Sequence, residues 1–364
     1  MRHAAEFLFA QRLRVEAPER TIQKGNIMIT RKSSVSRREV AKWVAVAGSS
    51  LGAPAAAAQN ISSDVRWSSG LTDAPVTYFD MIEPIGGGGT GKPPMFLIHG
   101  GAHTGACNLM TADGRPGWAH AFARAGYRVV IPDCPGSGRS GHVPYDELTG
   151  ETVVAGLAKA LIAVGQPAVV MTHSMSGPYG WKLLEQYGDR VAKLVAVAPG
   201  PPGNIQAVAT IASETPEKLE VRGTTNYTLD RKAPYVATAA FVNSKLIGKS
   251  SQFPREHIAR YAASLQPIGP RLLQQRLNIG GAQMKVTDFS KYRGKRALVL
   301  IGTDDVDHPR ELDVRIAAWL NDNGAKADFW FLGDHGVSGN GHMMMIENNS
   351  DVLAKLILTW VEGA

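Results

Sequence analysis

Two serines lie two positions apart near the middle of the chain, and either could be a nucleophile. The stretch Thr172–Gly177 reads T-H-S-M-S-G and follows an apolar run. A nucleophilic serine on a sharp strand-to-helix turn needs small residues two positions before and after it, because the backbone folds back on itself there. Thr172 and Ser176 meet that need around Ser174, whereas Ser176 and Pro178 fit the first turn of a helix. Ser174 is therefore the predicted nucleophile; the alternatives are Ser176, or a polar turn in which serine only caps the helix.

A serine hydroxyl is a poor nucleophile at neutral pH. It needs a base, usually histidine, and the histidine needs an orienting acid. When the serine lies on such a turn, the order along the chain is serine, acid, histidine. His342 is the predicted base, because it lies in the glycine-rich stretch Gly339–Met345, after the last predicted strand and before the final helix. His335 is the alternative.

Three aspartates compete for the role of the acid in Gly302–Pro309, which reads G-T-D-D-V-D-H-P after a predicted strand. Asp305 fits best, because a proline follows it by four positions; Asp304 and Asp307 are the alternatives. An aspartate cluster can also bind a cation, but no further acidic loop of matching pattern accompanies this one. We therefore predict no metal and no cofactor.

The oxyanion of an acyl-transfer intermediate needs preorganised backbone N–H donors. One is predicted at Met175, the residue after the nucleophile. The other is predicted at Gly101 in the stretch His99–Ala102, which follows an apolar strand, with Ala102 as the alternative. His99 is expected to be a structural residue of this loop rather than a second base.

Short apolar strands alternate with helical stretches, which predicts a mostly parallel α/β sheet flanked by helices. The predicted strands are Val76–Met81, Met95–His99, Arg128–Pro132, Ala168–Thr172, Leu194–Ala198, Ala297–Ile301 and Asp328–Leu332. The predicted helices are Gly117–Ala125, Gly150–Val164, Tyr179–Tyr187, Glu311–Asn323 and Ser350–Trp360. The longer stretch at about 200–292 is predicted to be a cap inserted over one end of the sheet, within a single domain of residues 59–364.

The first 58 residues have the three-part pattern of an export signal. Ser36-Arg37-Arg38 precedes a weakly apolar run, and small residues at Ala55–Ala58 end the segment. The twin arginine predicts the Tat route and a periplasmic or secreted protein. The apolar run is too short to span a bilayer, so no stable membrane anchor is expected after cleavage.

The same 58 residues dominate the charge of the chain. They contain ten Lys/Arg and four Asp/Glu, so they carry +6 of the formal net charge of +7. The remaining chain is nearly neutral, which argues against a nucleic-acid partner. The two cysteines, Cys107 and Cys134, have no metal-ligand spacing, and an exported protein could hold them either bridged or free.

Four motifs occur together in one order, listed here from the N-terminus. They are T-A-D-G-R-P-G-W (Thr111–Trp118), D-C-P-G-S-G-R-S (Asp133–Ser140), H-S-M-S-G (His173–Gly177) and G-N-G-H-M-M-M (Gly339–Met345). On these motifs the chain resembles the α/β-hydrolase superfamily. More narrowly it is similar to exported bacterial carboxylesterases, a branch that includes esterases cleaving sulfonylurea herbicide esters. The resemblance implies the α/β-hydrolase fold and hydrolysis of carboxylic esters, with Ser174 as nucleophile and His342 as base.

The chain departs from that branch at two places. The branch tends to carry a glutamate as the acid in an E-P-G context after the strand that follows the nucleophile, where this chain has Ala198. The acid must then come from the aspartates of Gly302–Pro309. The branch also tends to have two adjacent cysteines where this chain has Gly101 and Ala102. The identity of the narrow substrate therefore does not carry over.

These patterns predict an exported serine carboxylesterase that acts on a small-molecule ester through Ser174, His342 and Asp305. Lactonase, amidase or C–C bond hydrolase activity on the same three residues is an alternative. A catalytically idle hydrolase fold that serves as a binding protein is another, and the alanine at position 198 is its best support. The sequence leaves a homodimer open.

Overall fold

An eight-stranded sheet runs through the computed structural model, which describes residues 65–85, 91–223 and 226–363. The strand order is β1-β2-β4-β3-β5-β6-β10-β11. Strands β1, β2 and β4 pair antiparallel, and all the other neighbours pair parallel. The strands of this sheet are β1 (Val65–Leu71), β2 (Tyr78–Pro84), β3 (Met95–Ile98), β4 (Val129–Pro132), β5 (Ala168–His173), β6 (Val191–Val197), β10 (Arg296–Ile301) and β11 (Lys326–Phe331).

Helices flank the sheet, and the apolar strands between them are buried. Strands β3, β4 and β5 are buried at every residue, as expected for parallel strands covered on both faces. The helices are α1 (Ala106–Leu109), α2 (Trp118–Arg124), α3 (Gly150–Ala163), α4 (Gly177–Tyr187), α5 (Ala239–Phe241), α6 (Ile258–Ala263), α7 (Pro270–Arg276), α8 (Arg310–Asp322) and α9 (Ser350–Glu362). The predicted mostly parallel sheet with flanking helices is therefore confirmed, with boundaries shifted by one to three residues.

The chain leaves the main sheet between β6 and β10, and we call this segment the insertion. It contains an antiparallel three-stranded sheet of β7 (Thr210–Glu214), β8 (Lys218–Arg222) and β9 (Tyr227–Asp230). Helices α5, α6 and α7 follow, together with a π-helical turn over Val242–Ile247. The sequence predicted helical patches in this region but none of its strands, because β7 to β9 are short and largely exposed.

One further strand was not predicted from the sequence, because it too is largely exposed. Strand β1 lies at the edge of the sheet and is exposed at most positions, so its sequence has no apolar run.

The predicted leader, residues 1–58, lies outside the described residues and stays a prediction. Among the helices of the described ranges, none is both long and apolar enough to cross a lipid bilayer.

Candidate active site

Ser174 lies at the sharp turn between β5 and α4. Its backbone has a φ of 52°, a left-handed conformation that costs a non-glycine residue about 1–3 kcal/mol. The Ser174 carbonyl accepts a 2.7 Å hydrogen bond from the Gly200 N–H, which ties the turn to the chain after β6. Gly177 is needed beside it, because a Cβ there would come within 2.8 Å of the Gly200 nitrogen. The neighbouring backbone thus holds Ser174 in its strained conformation.

Ser176, the alternative nucleophile, is fully buried and occupied by structural hydrogen bonds. Its hydroxyl accepts from the His173 N–H at 2.8 Å, and carbonyl oxygens of His173 and Ile98 lie within 2.9 and 3.1 Å of it. The His173 ring lies between the turn and the next functional loop, where its Nε2 is 3.0 Å from the His342 carbonyl. Ser176 and His173 therefore brace the turn that presents Ser174.

His342 joins the predicted nucleophile and the predicted acid. Its Nε2 lies 2.8 Å from Ser174 Oγ, and its Nδ1 lies 2.8 Å from Asp305 Oδ2. An imidazole that donates from Nδ1 to a carboxylate has its Nε2 free to accept the serine proton. The structure thus brings together, in one chain of hydrogen bonds, three residues that lie on loops after β5, β10 and β11.

Burial raises the pKa of the Asp305 carboxyl, but the neighbouring His342 and His308 outweigh it and hold that pKa well below its usual range. Asp305 is therefore a carboxylate at neutral pH. The other two aspartates of the loop lie elsewhere. The Asp304 N–H donates a backbone hydrogen bond to the Asn340 carbonyl oxygen, and the Asp307 carboxylate pairs with Lys245. Asp305 is the one of the three that contacts His342.

The loop that carries His342 is anchored by a buried glutamate that the sequence analysis missed. The Glu347 carboxylate accepts hydrogen bonds from the Ser250 hydroxyl at 2.6 Å, the Asn340 amide at 2.7 Å and the Gly341 N–H at 3.0 Å. Burial raises the pKa of Glu347 despite these donors. Because Gly341 precedes His342, Glu347 fixes the backbone from which the base projects. The pattern E-N-N after a methionine run contains no signal for this role.

The predicted oxyanion donors, Gly101 and Met175, line the same cavity as Ser174 and His342. Ala102, the alternative donor, lines a neighbouring cavity instead. The Met175 side chain packs against the backbone of Gly101, since a Cβ on Gly101 would lie 2.7 Å from the Met175 sulfur. The glycine thus permits an approach that a larger residue would block.

His103 forms hydrogen bonds that hold the loop of Gly101 in place. Its Nδ1 lies 2.7 Å from the Gly101 carbonyl oxygen, and its Nε2 lies 2.9 Å from the Tyr261 hydroxyl. Burial lowers the pKa of His103 to about 3, so the ring is neutral, with Nδ1 donating to the carbonyl and Nε2 accepting from the phenol. His99 is also structural, as its Nε2 accepts from the Cys134 N–H at 2.9 Å.

A second histidine–aspartate pair lies behind the base. His308 stacks on His342 with ring centroids 5.2 Å apart, and its Nδ1 lies 3.0 Å from Asp313. Burial lowers the pKa of His308, but the carboxylates of Asp313 and Asp305 outweigh it and raise that pKa above its ordinary value. The sequence motif D-H-P contained the residue, but nothing in it indicated the stacking.

Asp305, His308 and His342 offer ligand atoms within 4.8 Å of one another, the spacing of a metal site among the described residues. Two of these atoms, Asp305 Oδ2 and His342 Nδ1, already form a hydrogen bond to each other. Two of the three potential ligands are thus already hydrogen-bonded to each other.

The structure also shows the surroundings of His335, Ala198 and the two cysteines, which the sequence left open. His335 is exposed and packs on Trp330, with ring centroids 4.3 Å apart and no contact with Ser174. Ala198 is fully buried and directly follows β6. Alanine has no carboxylate, so the acid that contacts His342 comes from the loop after β10. Cys107 and Cys134 are free thiols, and burial raises the pKa of Cys107 to about 12.

The chain is similar to known proteins over most of its length. A probable secreted lipase from a fungal species is 25% identical over 327 residues, covering 74% of this chain and 81% of the lipase. A 2-hydroxy-6-oxononadienedioate/2-hydroxy-6-oxononatrienedioate hydrolase from Burkholderia vietnamiensis is 33% identical over 127 residues, covering 33% of this chain and 41% of that hydrolase.

Two solved structures share the fold. A thermophilic esterase from Thermogutta terrifontis superposes with a TM-score of 0.54 at 18% identity, covering 81% of this chain and 98% of the esterase. A membrane phospholipase A described as a bacterial virulence factor superposes with a TM-score of 0.55 at 16% identity, covering 89% and 97%. The narrower resemblance to herbicide-cleaving esterases stays a prediction.

A family model described as the alpha/beta hydrolase family matches residues 95–356. This range includes every strand from β3 to β11 and the loops that carry Ser174, Asp305 and His342. The chain belongs to the alpha/beta hydrolase family.

Proposed function

We propose that this protein is a serine carboxylesterase that hydrolyses a small carboxylic ester through an acyl-enzyme. The observation that carries the proposal is the continuous chain of contacts from Ser174 Oγ through His342 to Asp305, with both distances at 2.8 Å. Such a series of hydrogen bonds activates a serine hydroxyl for nucleophilic attack, and the packing of a hydrophobic core does not require it.

The reaction follows from the positions of the atoms. Ser174 Oγ attacks the ester carbonyl carbon while His342 Nε2 takes the hydroxyl proton, and Asp305 stabilises the resulting imidazolium. The N–H groups of Gly101 and Met175 bind the oxyanion. Collapse of this intermediate breaks the bond to the alcohol, which leaves with the proton from His342. Water then attacks the acyl-enzyme, with His342 again as base, and releases the acid.

The similar proteins favour an ester bond, rather than another kind of bond, as the one that this protein hydrolyses. The lipase matches over most of its own length, whereas the chain spans less than half of the dienedioate hydrolase. Hydrolysis of a lactone, an amide or a C–C bond by the same three residues remains the alternative activity. A catalytically idle binding protein is the alternative of another class, and the contacts of His342 with both Ser174 and Asp305 argue against it.

We further propose that the protein is exported after cleavage of residues 1–58 and that residues 59–364 form the hydrolase domain, with the insertion as its cap. The twin arginine at Arg37 and Arg38 supports this, and the similarity to a secreted lipase agrees with it. The mature protein is then expected to act on a small-molecule ester without a nucleic-acid partner.

The two serines of the turn provide a matched test. Purified wild type, Ser174→Ala and Ser176→Ala are assayed on p-nitrophenyl acetate, and each is labelled with a fluorophosphonate and weighed by intact-mass spectrometry. We expect Ser174→Ala to lose about 10³-fold or more in kcat and all labelling, because loss of the nucleophile disables the whole triad. Ser176→Ala should keep labelling at Ser174, since its hydroxyl only braces the turn.

Two outcomes would contradict the proposal. If Ser176→Ala were the inactive, unlabelled variant while still folded, the nucleophile would lie two residues further along. If the folded wild type neither hydrolysed the ester nor took up the fluorophosphonate, the binding-protein alternative would replace the enzyme.

A further inference from the structure

Two cationic side chains of the insertion line the cavity that contains Ser174 and His342, which we call the triad cavity. Lys245 lies in the π-helical turn, and Arg276 is the last residue of α7. Both line the cavity together with Ser174 and His342. The side chain of Lys245 is 9% exposed and that of Arg276 is 16% exposed, so both charges are largely withdrawn from water.

One carboxylate faces these two cations. Asp307 pairs directly with Lys245, whereas its distance to Arg276 Nη2 is 4.0 Å, beyond hydrogen-bond length. The guanidinium of Arg276 forms no side-chain hydrogen bond with any described residue. Its N–H donors therefore have no hydrogen-bonding acceptor among the described side chains, although the residue lines the cavity.

A second, larger cavity begins where the triad cavity ends. Its volume is about 430 Å³, and it shares Tyr227, Lys245 and Arg276 with the triad cavity. Four cationic side chains line it among the described residues, namely Arg222, Lys245, Arg276 and Arg315. Its two carboxylates are Asp307 and Asp313, and both already have partners in Lys245 and His308. The space beyond the triad thus has an excess of positive charge.

The only carboxylate near the partly buried Arg276 guanidinium in the ion pairs of the described residues is Asp307 at 4.0 Å, so an anion with hydrogen-bonding geometry that entered the cavity would offset the remaining cost of its desolvation. The planar fork of arginine matches a carboxylate in two parallel hydrogen bonds. A purely apolar ester would leave that cost in place. An ester that carries a carboxylate would remove it and be held at a defined distance from Ser174.

We propose that Arg276, with Lys245 beside it, forms a carboxylate-binding subsite next to Ser174, and that the preferred substrates are esters carrying a free carboxylate, such as half-esters of dicarboxylic acids. This rests on the proposed esterase function and names its class of substrate. The ester carbonyl lies at Ser174, and the carboxylate extends toward the larger cavity and accepts from the Arg276 guanidinium.

The test uses two pairs of esters that differ only in the charged end. Monomethyl glutarate and methyl pentanoate place the difference on the acyl side, and 4-acetoxybutanoate and butyl acetate place it on the alcohol side. Hydrolysis of each is followed by pH-stat titration for wild type, Arg276→Gln and Arg271→Gln. Arg271 is the matched control, because it lies on the same helix α7 but is exposed and borders neither cavity.

We expect wild type to favour the charged member of at least one pair by about tenfold or more in kcat/KM, the scale of a charge-assisted hydrogen-bond pair. Arg276→Gln should lose that preference, so that its ratio of kcat/KM for the charged ester to kcat/KM for the neutral ester falls to about one. Arg271→Gln should behave as wild type. Equal rates on charged and neutral esters by wild type would overturn the subsite and leave the esterase intact.

A direct binding measurement separates the subsite from catalysis and from folding defects. Glutarate is titrated into wild type, Arg276→Gln and the charge-conserving Arg276→Lys by isothermal calorimetry, after each has been checked by thermal unfolding. Binding by wild type that is lost in Arg276→Gln would support the subsite even if no ester were hydrolysed. Absence of glutarate binding to folded wild type, together with no charge preference in hydrolysis, would refute it.

Discussion

At the scale of single residues, the oxyanion loop depends on a side chain that touches no reacting atom. The Gly101 carbonyl is held by His103, which is in turn held by Tyr261 on helix α6 of the insertion. The ring also lies near His173, with centroids 6.4 Å apart. His103 is thus a positioning residue whose hydrogen bond sets the orientation of the Gly101 peptide.

We predict that His103→Phe, which keeps a ring but removes the donor, lowers kcat on p-nitrophenyl acetate about tenfold and leaves KM within about twofold. A partly misplaced oxyanion donor costs less than the 10²–10³-fold of a deleted one. His103→Asn can still donate to the Gly101 carbonyl and should recover much of the rate. Because the pKa of His103 is about 3, the shape of the pH–rate profile from pH 5 to 9 should be the same in wild type and both variants. A larger change in KM than in kcat would contradict the positioning role.

At the scale of elements, a buried ion pair joins the loop after β10 to the insertion. Asp307 contributes the carboxylate and Lys245 the ammonium, and both side chains are less than a tenth exposed. Burial raises the pKa of Asp307, but Lys245, His308 and Arg276 outweigh it and hold that pKa well below its usual range. The loop that supplies Asp305 is therefore tied by charge to the segment that borders the site.

The sign of the pH effect follows from this lowered pKa. A carboxyl whose folded-state pKa is depressed stabilises the fold above its unfolded pKa of about 3.9, and this stability is lost as the pH falls toward the folded value. We expect Asp307→Asn to lower the free energy of unfolding by about 3–5 kcal/mol at pH 7, because Lys245 then keeps a buried, unpaired charge. The difference from wild type should be nearly the same at pH 7 and pH 5 and should be smaller at pH 3, because the loss begins only below about pH 4.

Urea unfolding of wild type and Asp307→Asn at pH 7, 5 and 3 measures this difference. Asp304→Asn is the control, because Asp304 is on the same loop, is partly exposed and makes only a backbone contact. Its free energy of unfolding should stay close to that of wild type at all three pH values. A difference between wild type and Asp307→Asn that did not change with pH would show that the ion pair is not its source.

At the scale of the whole molecule, charge is distributed very unevenly along the chain. Residues 1–58 carry +6 of the net charge of +7, and the proposed mature domain is close to neutral. A basic segment that ends in small residues and contains paired arginines is read by an export system and is then removed. The high overall pI of 9.4 thus reflects residues 1–58 more than the rest of the chain.

We predict that the full chain, expressed in a bacterium with a Tat system, is recovered from the periplasm with Gln59 at its N-terminus. Replacement of Arg37 and Arg38 by lysine should retain the uncleaved chain in the cytoplasm, because the route requires the arginine pair rather than the charge. Cell fractionation and intact-mass analysis measure both results. Replacement of Lys42 by arginine, outside the pair, is the control, and export of the double-lysine variant at the wild-type level would rule out the Tat route.

Local patterns were sufficient to predict seven of the eight strands of the main sheet and the three residues that meet at the site. Parallel strands buried on both faces must be apolar, so β3 to β6 and β10 stand out, and polar groups directly after such strands lie at one edge of the sheet. Ser174, Asp305 and His342 could therefore be named from the turns that carry them, and Asp305 could be preferred to its neighbours. Their catalytic roles stay proposals.

What only the tertiary structure decided is which side chains surround those three. His103 and Tyr261 are 158 positions apart, and Lys245 and Asp307 are 62 apart, so no short pattern links them. The exposed strands β1 and β7 to β9 carry no apolar run, and their existence depends on pairing with neighbours. That Arg276 lines the same cavity as Ser174 likewise follows from how the insertion packs, because contacts across long loops are set by the burial of the whole chain and not by neighbouring residues.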